Sequence, residues 1–325
     1  MTVLRLLADD LTGALDSAAR FVPLVGPVPV MWSDPPPTGT VAIDSETRDL
    51  DPETAEAVVR RLVSTLGGAD IAFKKIDGLL RGSVVRELAV CLPHFDHCIL
   101  APAFPFQGRI TQSGRQLAWD GTGWRDTSID LSALPVPLLD ARTDADLDAI
   151  VAQGRALPGR VLWVGTGGLA GALAGRNAVP SPGLRRPILA LAGSRHPATL
   201  GQLEAAEAWH RPVTPGAIDP PMLPAIVTVN LPPDTPATDA AARIAATFRT
   251  VLTNVPRPGT LLIIGGATLH AVCQALGATS LLVDGEVEPG VPLAILRGGA
   301  WDGQRIVSKS GAFGDKGLLV RLMRG

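Results

Sequence analysis

The stretch Val3–Phe21, VLRLLADDLTGALDSAARF, decides the fold. Val3–Leu7 is an apolar run of strand length, and the apolar spacing over Ala14–Val22 is helical. Between them stand two adjacent carboxylates, Asp9 and Asp10. A pattern of the same kind lies near the other end, in Leu261–Leu276, LLIIGGATLHAVCQAL. There a strand runs through Gly265 and Gly266 into a helix. Open α/β sheets collect ligands at the carboxyl ends of their strands, which is where both turns fall. One turn offers acid groups. The other offers bare backbone that a phosphate can approach closely.

The rest of the chain continues this alternation. In the first half, strands are expected at Val3–Leu7, Val28–Trp32, Thr40–Ile43, Ile71–Phe73, Cys98–Ala101 and Val161–Val164. Helices are expected at Ala14–Val22, Thr54–Leu66, Val84–Leu92 and Asp146–Gln153. Asp51 suits an N-cap, and Pro52 suits a first helical position, where its missing N–H costs little. Ala178–Pro187, AVPSPGLRRP, interrupts the pattern and reads as a linker. Beyond it, strands are expected at Ile188–Ala192, Ala225–Val229, Leu261–Ile264, Ser280–Val283, Leu293–Leu296 and Ile306–Ser308. Helices are expected at about Ala198–Ala208, Ala237–Val251, Thr268–Leu276 and Gly314–Met323. The expectation is an α/β protein of two lobes, residues 1–177 and 188–325. Each lobe is a mostly parallel sheet flanked by helices, with a ligand cleft between the lobes.

Composition narrows the classes. Lys and Arg number 29 and Asp and Glu 31, which argues against an extended basic surface for nucleic acid. Three cysteines, Cys91, Cys98 and Cys273, read as reduced thiols and not as a disulfide framework. The first residues show no secretory pattern, and no apolar run reaches membrane-spanning length, so the reading is a cytoplasmic, soluble protein. A homo-oligomer is left open. There is no GxxxxGK[ST], no GxGxxG after the first strand, no HExxH and no GxSxG elbow. With no tyrosine in the chain, no tyrosine serves in catalysis.

ADDLTGALD closely resembles the signature of the four-carbon acid sugar kinase family. Further matching segments follow in the family's order: Asp44–Arg48 (DSETR), Lys74–Ser83 (KKIDGLLRGS), Ala101–Arg109 (APAFPFQGR), Gly193–Gln202 (GSRHPATLGQ), Gly265–Thr268 (GGAT), Pro289–Pro292 (PGVP) and Lys309–Gly314 (KSGAFG). They touch nearly the whole chain. The resemblance implies an ATP-dependent kinase, with Mg²⁺, acting on a hydroxyl of threonate, erythronate or a 3-oxo-tetronate. It implies an acid-sugar-binding first domain and a nucleotide-binding second domain. This chain departs from the usual pattern at Ala267, where an acidic residue is usual, and at Gly78, where Ser is usual. The rival reading is a sugar-acid and nucleotide-binding regulatory protein without full turnover.

Candidate roles follow from chemistry and resemblance together. Asp9, Asp10 and Lys75 are the catalytic candidates, and which of the two aspartates serves as base is left open. Lys74 and Lys75 lie at a strand end, so their side chains point to opposite faces and only one belongs in the site. The resemblance favours Lys75. Asp16, Arg48, Asp77, Arg81, Gln107 and Arg109 are candidates for binding the acid, because a bidentate Arg gives a carboxylate both charge and direction. Asp77 could instead pair with Lys75. Gly193, Ser194, His196, Gly265, Gly266, Thr268, Lys309, Ser310, Gly311 and Gly314 are candidates for the nucleotide. No protein metal ligands are expected.

Overall fold

The computed structural model describes residues 2–33, 38–176, 183–216, 221–232 and 234–324. The chain divides into two compact units, Met1–Val179 and Pro180–Gly325. In the first unit the elements run β1 (Leu4–Ala8), α1 (Leu11–Val25), β2 (Val28–Met31), β3 (Val41–Asp44), α2 (Pro52–Leu62), β4 (Ile71–Lys75), α3 (Val84–Cys91), β5 (His97–Ala101), β6 (Arg109–Gln112), β7 (Arg115–Trp119), β8 (Trp124–Asp126), α4 (Asp144–Arg155), β9 (Val161–Gly165) and α5 (Gly167–Leu173). In the second they run β10 (Ile188–Ala192), α6 (Pro197–Ala205), β11 (His210–Val213), β12 (Ala225–Val229), α7 (Ala237–Asn254), β13 (Thr260–Ile264), α8 (Gly266–Leu276), β14 (Ser280–Glu288), β15 (Val291–Arg297), β16 (Arg305–Lys309) and α9 (Leu318–Arg324).

The first unit's main sheet has the order β2-β3-β1-β4-β9-β5, and every pairing in it is parallel. All five residues of β1 and of β4 are buried, as strands covered on both faces require. The chain leaves β1 toward β3 on one side and later fills β4 on the other. The strand order therefore reverses beside β1, and the carboxyl ends of β1 and β4 form the switch point where open sheets bind ligands. One core cluster fills the face under α2 and α3, with Leu7, Ile43, Val59, Leu88 and Val164 among its members.

In the second unit, β11-β12-β10-β13-β16 is parallel, and β15 and β14 add antiparallel strands. Its reversal lies between β10 and β13, at the turns carrying Gly193 and Gly265. Ala190, in the middle of β10, is fully buried in a core cluster with Ile188, Ile226 and Ile264.

Both sheets bear out the α/β expectation, and several details depart from it. Helix α1 begins at Leu11, earlier than expected, because Asp10 caps it by accepting from Gly13 N at 3.0 Å. Residues 109–126, where no element was expected, form a small antiparallel sheet, β6-β7-β8. Its strands are short and largely exposed, so they carry little apolar alternation to read. The last helix starts at Leu318 and not at Gly314, because Asp315 turns the chain by accepting from Gly317 N at 2.7 Å. Strand β11 and helix α5 lie outside the expected elements. Of the expected linker, residues 178–182 lie outside the described residues. All three cysteines are free thiols. Among the described residues no helix is long and apolar enough to cross a membrane.

Candidate functional site

The first unit gathers charge at the carboxyl ends of β1, β3 and β4. Arg48 donates from Nε to Asp9 Oδ2 at 2.9 Å and from Nη2 to Asp9 Oδ1 at 2.8 Å. The same Nη2 lies 2.6 Å from Asp10 Oδ1, and Nη1 lies 3.8 Å from Asp77 Oδ1. One guanidinium thus ties the end of β1 to the loop after β4. The Asp9 side chain is 5% exposed and spent on Arg48, whereas that of Asp10 is 19% exposed. Burial pushes the Asp9 carboxyl up, but Arg48 and then Lys75 outweigh it and hold it below the usual carboxylate range.

Asp77 pins its own loop. Its Oδ2 accepts from Leu79 N at 3.0 Å and Arg81 N at 3.2 Å, and the Arg81 side chain adds bonds of 2.9 Å and 2.7 Å. Burial raises the Asp77 carboxyl, yet Arg81 and Arg48 bring it well below its usual value. Asp77 therefore pairs with Arg81 and not with Lys75. Lys75 donates to Ile76 O at 2.7 Å and lies against Gly13, where a Cβ would come within 2.9 Å of Nζ.

Lys74 points the other way, as strand alternation requires. Its Nζ is 2.6 Å from Glu87 Oε2, with side-chain exposures of 0% and 2%. This is a buried ion pair with α3, and the Asp9 carboxylate also acts on Lys74 by charge.

Asp16 lies one turn further along α1. Its Oδ1 is buried and without a hydrogen-bond partner. Burial raises its carboxyl, against the pull of Arg20, Lys75 and Arg109. Arg109, at the start of β6, lies across Gly78. Among the described residues its side chain makes no hydrogen bond or ion pair, and burial lowers its pKa. Gln107 sits in the turn Pro105–Gln107 just before it, half-buried.

One group lies beyond the sequence reading. Asp44 ends β3 beside Asp9 and Asp10, is buried, and accepts from Glu46 N at 2.9 Å. Burial pushes its carboxyl up to about 8. Its signal is present in DSETR, an acid at a strand's carboxyl end, but Arg48 is the residue of that segment whose chemistry stands out.

In the second unit the turn carrying Gly193 and Ser194 meets two further glycine turns. A Cβ on Gly311 would lie within 2.9 Å of Ser194 Cβ, and one on Gly265 within 3.4 Å. Gly265 has φ +108° and precedes α8 with no side-chain cap, so the first N–H groups of α8 are left to a ligand or water. A Cβ on Gly193 would strike Thr268 Oγ1. His196 caps α6, accepting from Ala198 N at 3.2 Å on Nδ1. Lys309 Nζ donates to Ser310 O at 2.9 Å and Phe313 O at 2.8 Å. Those acceptors are neutral, and burial lowers the Lys309 pKa to about 8. Gln202 holds the carbonyls of Phe313 and Gly314, both at 2.9 Å, and Thr199 holds that of Gly311 at 2.7 Å. The 310–314 turn is thus built from its carbonyls inward. Gly266 opens α8, and Ser310 is exposed on the turn.

Comparison with known proteins gives this arrangement its context. Residues 4–136 match the family described as a sugar-binding N-terminal domain, and residues 223–319 match a nucleotide-binding C-terminal domain. A D-threonate kinase from Bordetella bronchiseptica is 26% identical, over 97% of this chain and 95% of the relative. One from Cupriavidus necator is 27% identical, with the same coverage.

The chain belongs to the four-carbon acid sugar kinase family.

The solved structure described as a putative tRNA synthase from Salmonella typhimurium LT2 shares its fold, with a TM-score of 0.75 at 19% identity and coverage of 99% of this chain and 98% of that one. Haemophilus influenzae protein HI1011 does so at 0.66, with 18% identity and coverage of 96% and 97%. In the terms of the acid sugar kinase family, Asp9, Asp10, Arg48, Asp77 and Arg109 lie in the sugar-binding match. Gly265, Lys309 and Gly311 lie in the nucleotide-binding match, and the Gly193–His196 turn precedes it.

Proposed function

We propose that this protein is an ATP-dependent kinase that phosphorylates a hydroxyl of a four-carbon sugar acid of the threonate, erythronate or 3-oxo-tetronate class. The observation that carries the reading is the opposed character of the two switch points. One is a set of carboxylates and guanidiniums around Asp10. The other is a glycine-lined turn at an uncapped helix start.

Residues 193–194, 265–268 and 309–314 suit phosphate groups. The glycines leave space that a Cβ would fill, the N–H groups of α8 are uncapped, and the Lys309 ammonium meets carbonyls and, among the described residues, no carboxylate. Ala267 stands exposed on the first turn of α8 and offers no ligand to a cation. ATP supplies the phosphoryl group, and Mg²⁺ shields its charge. In the first unit, Asp10 is better suited than Asp9 to take the proton of the attacking hydroxyl, because its side chain is 19% exposed and that of Asp9 only 5%, although Arg48, Gly13 N and Thr12 Oγ1 also hold the Asp10 carboxylate. Lys75 offers a positive charge beside Gly13. Arg48 and Asp77 hold the two loops in register, and Arg109 and Asp16 are the groups left to meet the acid. A cytoplasmic location fits the need for ATP.

The test is ADP release by the purified chain with Mg-ATP across D- and L-threonate, D- and L-erythronate and 3-oxo-tetronates, with Asp10→Asn beside it. Turnover that needs one acid and drops about 100-fold or more in the variant supports the reading. Tight binding of an acid without turnover would replace it with the regulatory binding protein.

A further inference from the structure

We propose that Thr12 is a positioning residue for phosphoryl transfer: its hydroxyl fixes Asp10 Oδ2 as the oxygen that receives the substrate proton. The inference rests on the kinase reading above and names the atom at which Asp10 acts.

The two Asp10 oxygens have different partners. Oδ1 accepts from Gly13 N at 3.0 Å and lies 2.6 Å from Arg48 Nη2. A carboxylate oxygen offers two acceptor positions, so these two donors fill Oδ1. Oδ2 accepts from Thr12 Oγ1 at 2.5 Å. Among the described residues no second donor is bonded to Oδ2, which keeps one acceptor position open. In the transfer the substrate O–H bond breaks and its proton goes to that position. The freed oxygen bonds to the γ-phosphorus of ATP as the bond from that phosphorus to the β–γ bridging oxygen breaks, and ADP leaves. A base must lie within hydrogen-bond reach of its proton, and a misplaced one loses rate. With Oδ1 anchored and Oδ2 held on one side by Thr12, the plane of the carboxylate and the direction of its open position are both set.

The cap of α1 does not need this hydroxyl. Asp10 satisfies Gly13 N through Oδ1, and that bond is the one that starts the helix. Thr12 acts on the other oxygen and is half-buried. Helix α2 carries a similar pairing at an exposed cap. There Asp51 accepts from Thr54 N at 3.0 Å on Oδ1 and from Thr54 Oγ1 at 2.6 Å on Oδ2. Asp51 and Thr54 are both exposed. Thr54 is therefore the internal control: a loss of turnover confined to Thr12 separates positioning from capping.

The experiment measures steady-state kinetics and melting temperature for Thr12→Val, Thr12→Ser, Thr54→Val, Asp10→Asn and the double variant of Thr12→Val with Asp10→Asn, on the best acid of the panel. Thr12→Val is expected to lower kcat about 10- to 100-fold, with KM for the acid and for ATP within about twofold of wild type. Thr12→Ser keeps the hydroxyl and is expected to recover kcat to within about threefold of wild type. Thr54→Val is expected to keep the wild-type kcat. In the Asp10→Asn background Thr12→Val is expected to lower kcat no further, because it acts through Asp10. If Thr12→Val melts below the assay temperature, Thr12→Ala takes its place with the same expectations. A wild-type kcat without the Thr12 hydroxyl, a serine variant no better than the valine one, or losses that multiply in the double variant overturn the inference, while turnover by the wild type keeps the kinase reading. A wild type that releases no ADP with any acid removes both.

Discussion

Arg48 grips Asp9 through two parallel hydrogen bonds, at 2.9 Å and 2.8 Å, across 39 residues of sequence. Their side chains are only 15% and 5% exposed. Removing one member of such a pair leaves the other charge buried. Asp9→Asn is therefore expected to destabilise the chain by about 3 kcal/mol, the lower end of the range, because Asp10 remains 2.6 Å from Arg48. Urea unfolding measures this. The Asp9 carboxyl is held below its usual range, so its contribution is present above about pH 4 and is lost as the pH falls below it. The wild-type advantage over the variant should shrink on acidification.

Lys74 and Glu87 give a contrasting case. Their 2.6 Å pair is fully buried, and Lys74 spends its ammonium on Glu87. Lys74→Met alone is expected to cost about 3 kcal/mol, while Lys74→Met with Glu87→Leu should recover most of that loss. Turnover should survive in the double variant and fall in Lys75→Met. Equal loss of turnover in both would refute the division of labour between the two lysines.

Asp44 should impose an alkaline limit. Its carboxyl is raised to about 8 by burial, so its stabilising contribution is complete below about pH 4 and disappears as the pH rises through about 8. The denaturant midpoint of the wild type is expected to fall as the pH rises from about 4 to about 8, and that of Asp44→Asn to change less.

Gly265 has φ +108° and ψ 140°, a backbone region that L side chains rarely adopt. Gly265→Ala is expected to cost about 1–3 kcal/mol and to raise KM for ATP while leaving KM for the acid nearly unchanged. Thermal melting and kinetics with each substrate varied separately make the check.

Ala267 lies exposed on the first turn of α8. Ala267→Asp places a negative charge at the positive end of that helix and should stabilise it by about 0.5 kcal/mol. If the kinase reading holds, the Mg²⁺ concentration for half-maximal turnover should also fall. A magnesium titration of the wild type and the variant decides it.

The strand-turn-helix runs at Val3–Phe21 and Leu261–Leu276 carry enough apolar periodicity to fix the α/β class, and the glycine and aspartate turns mark which strand ends matter. Local alternation also separates Lys74 from Lys75, because neighbours on a strand must face opposite sides. The small β6–β8 sheet is hidden from such reading, since exposed strands of a few residues have no hydrophobic pattern to display. That sheet presents Arg109 to Gly78 and holds the Gly78 carbonyl through Gln116.

The sequence by itself determined the class of fold, the family and the residue types at each turn, because periodicity and motif order are local properties. Only the tertiary structure decided which charges are matched. Asp9 is taken by Arg48, Asp77 by Arg81 and Lys74 by Glu87, while Arg109 and one oxygen of Asp16 are left over among the described residues. Charge pairing depends on distances between segments far apart in the chain, and those distances exist only once the sheet has brought its strand ends together.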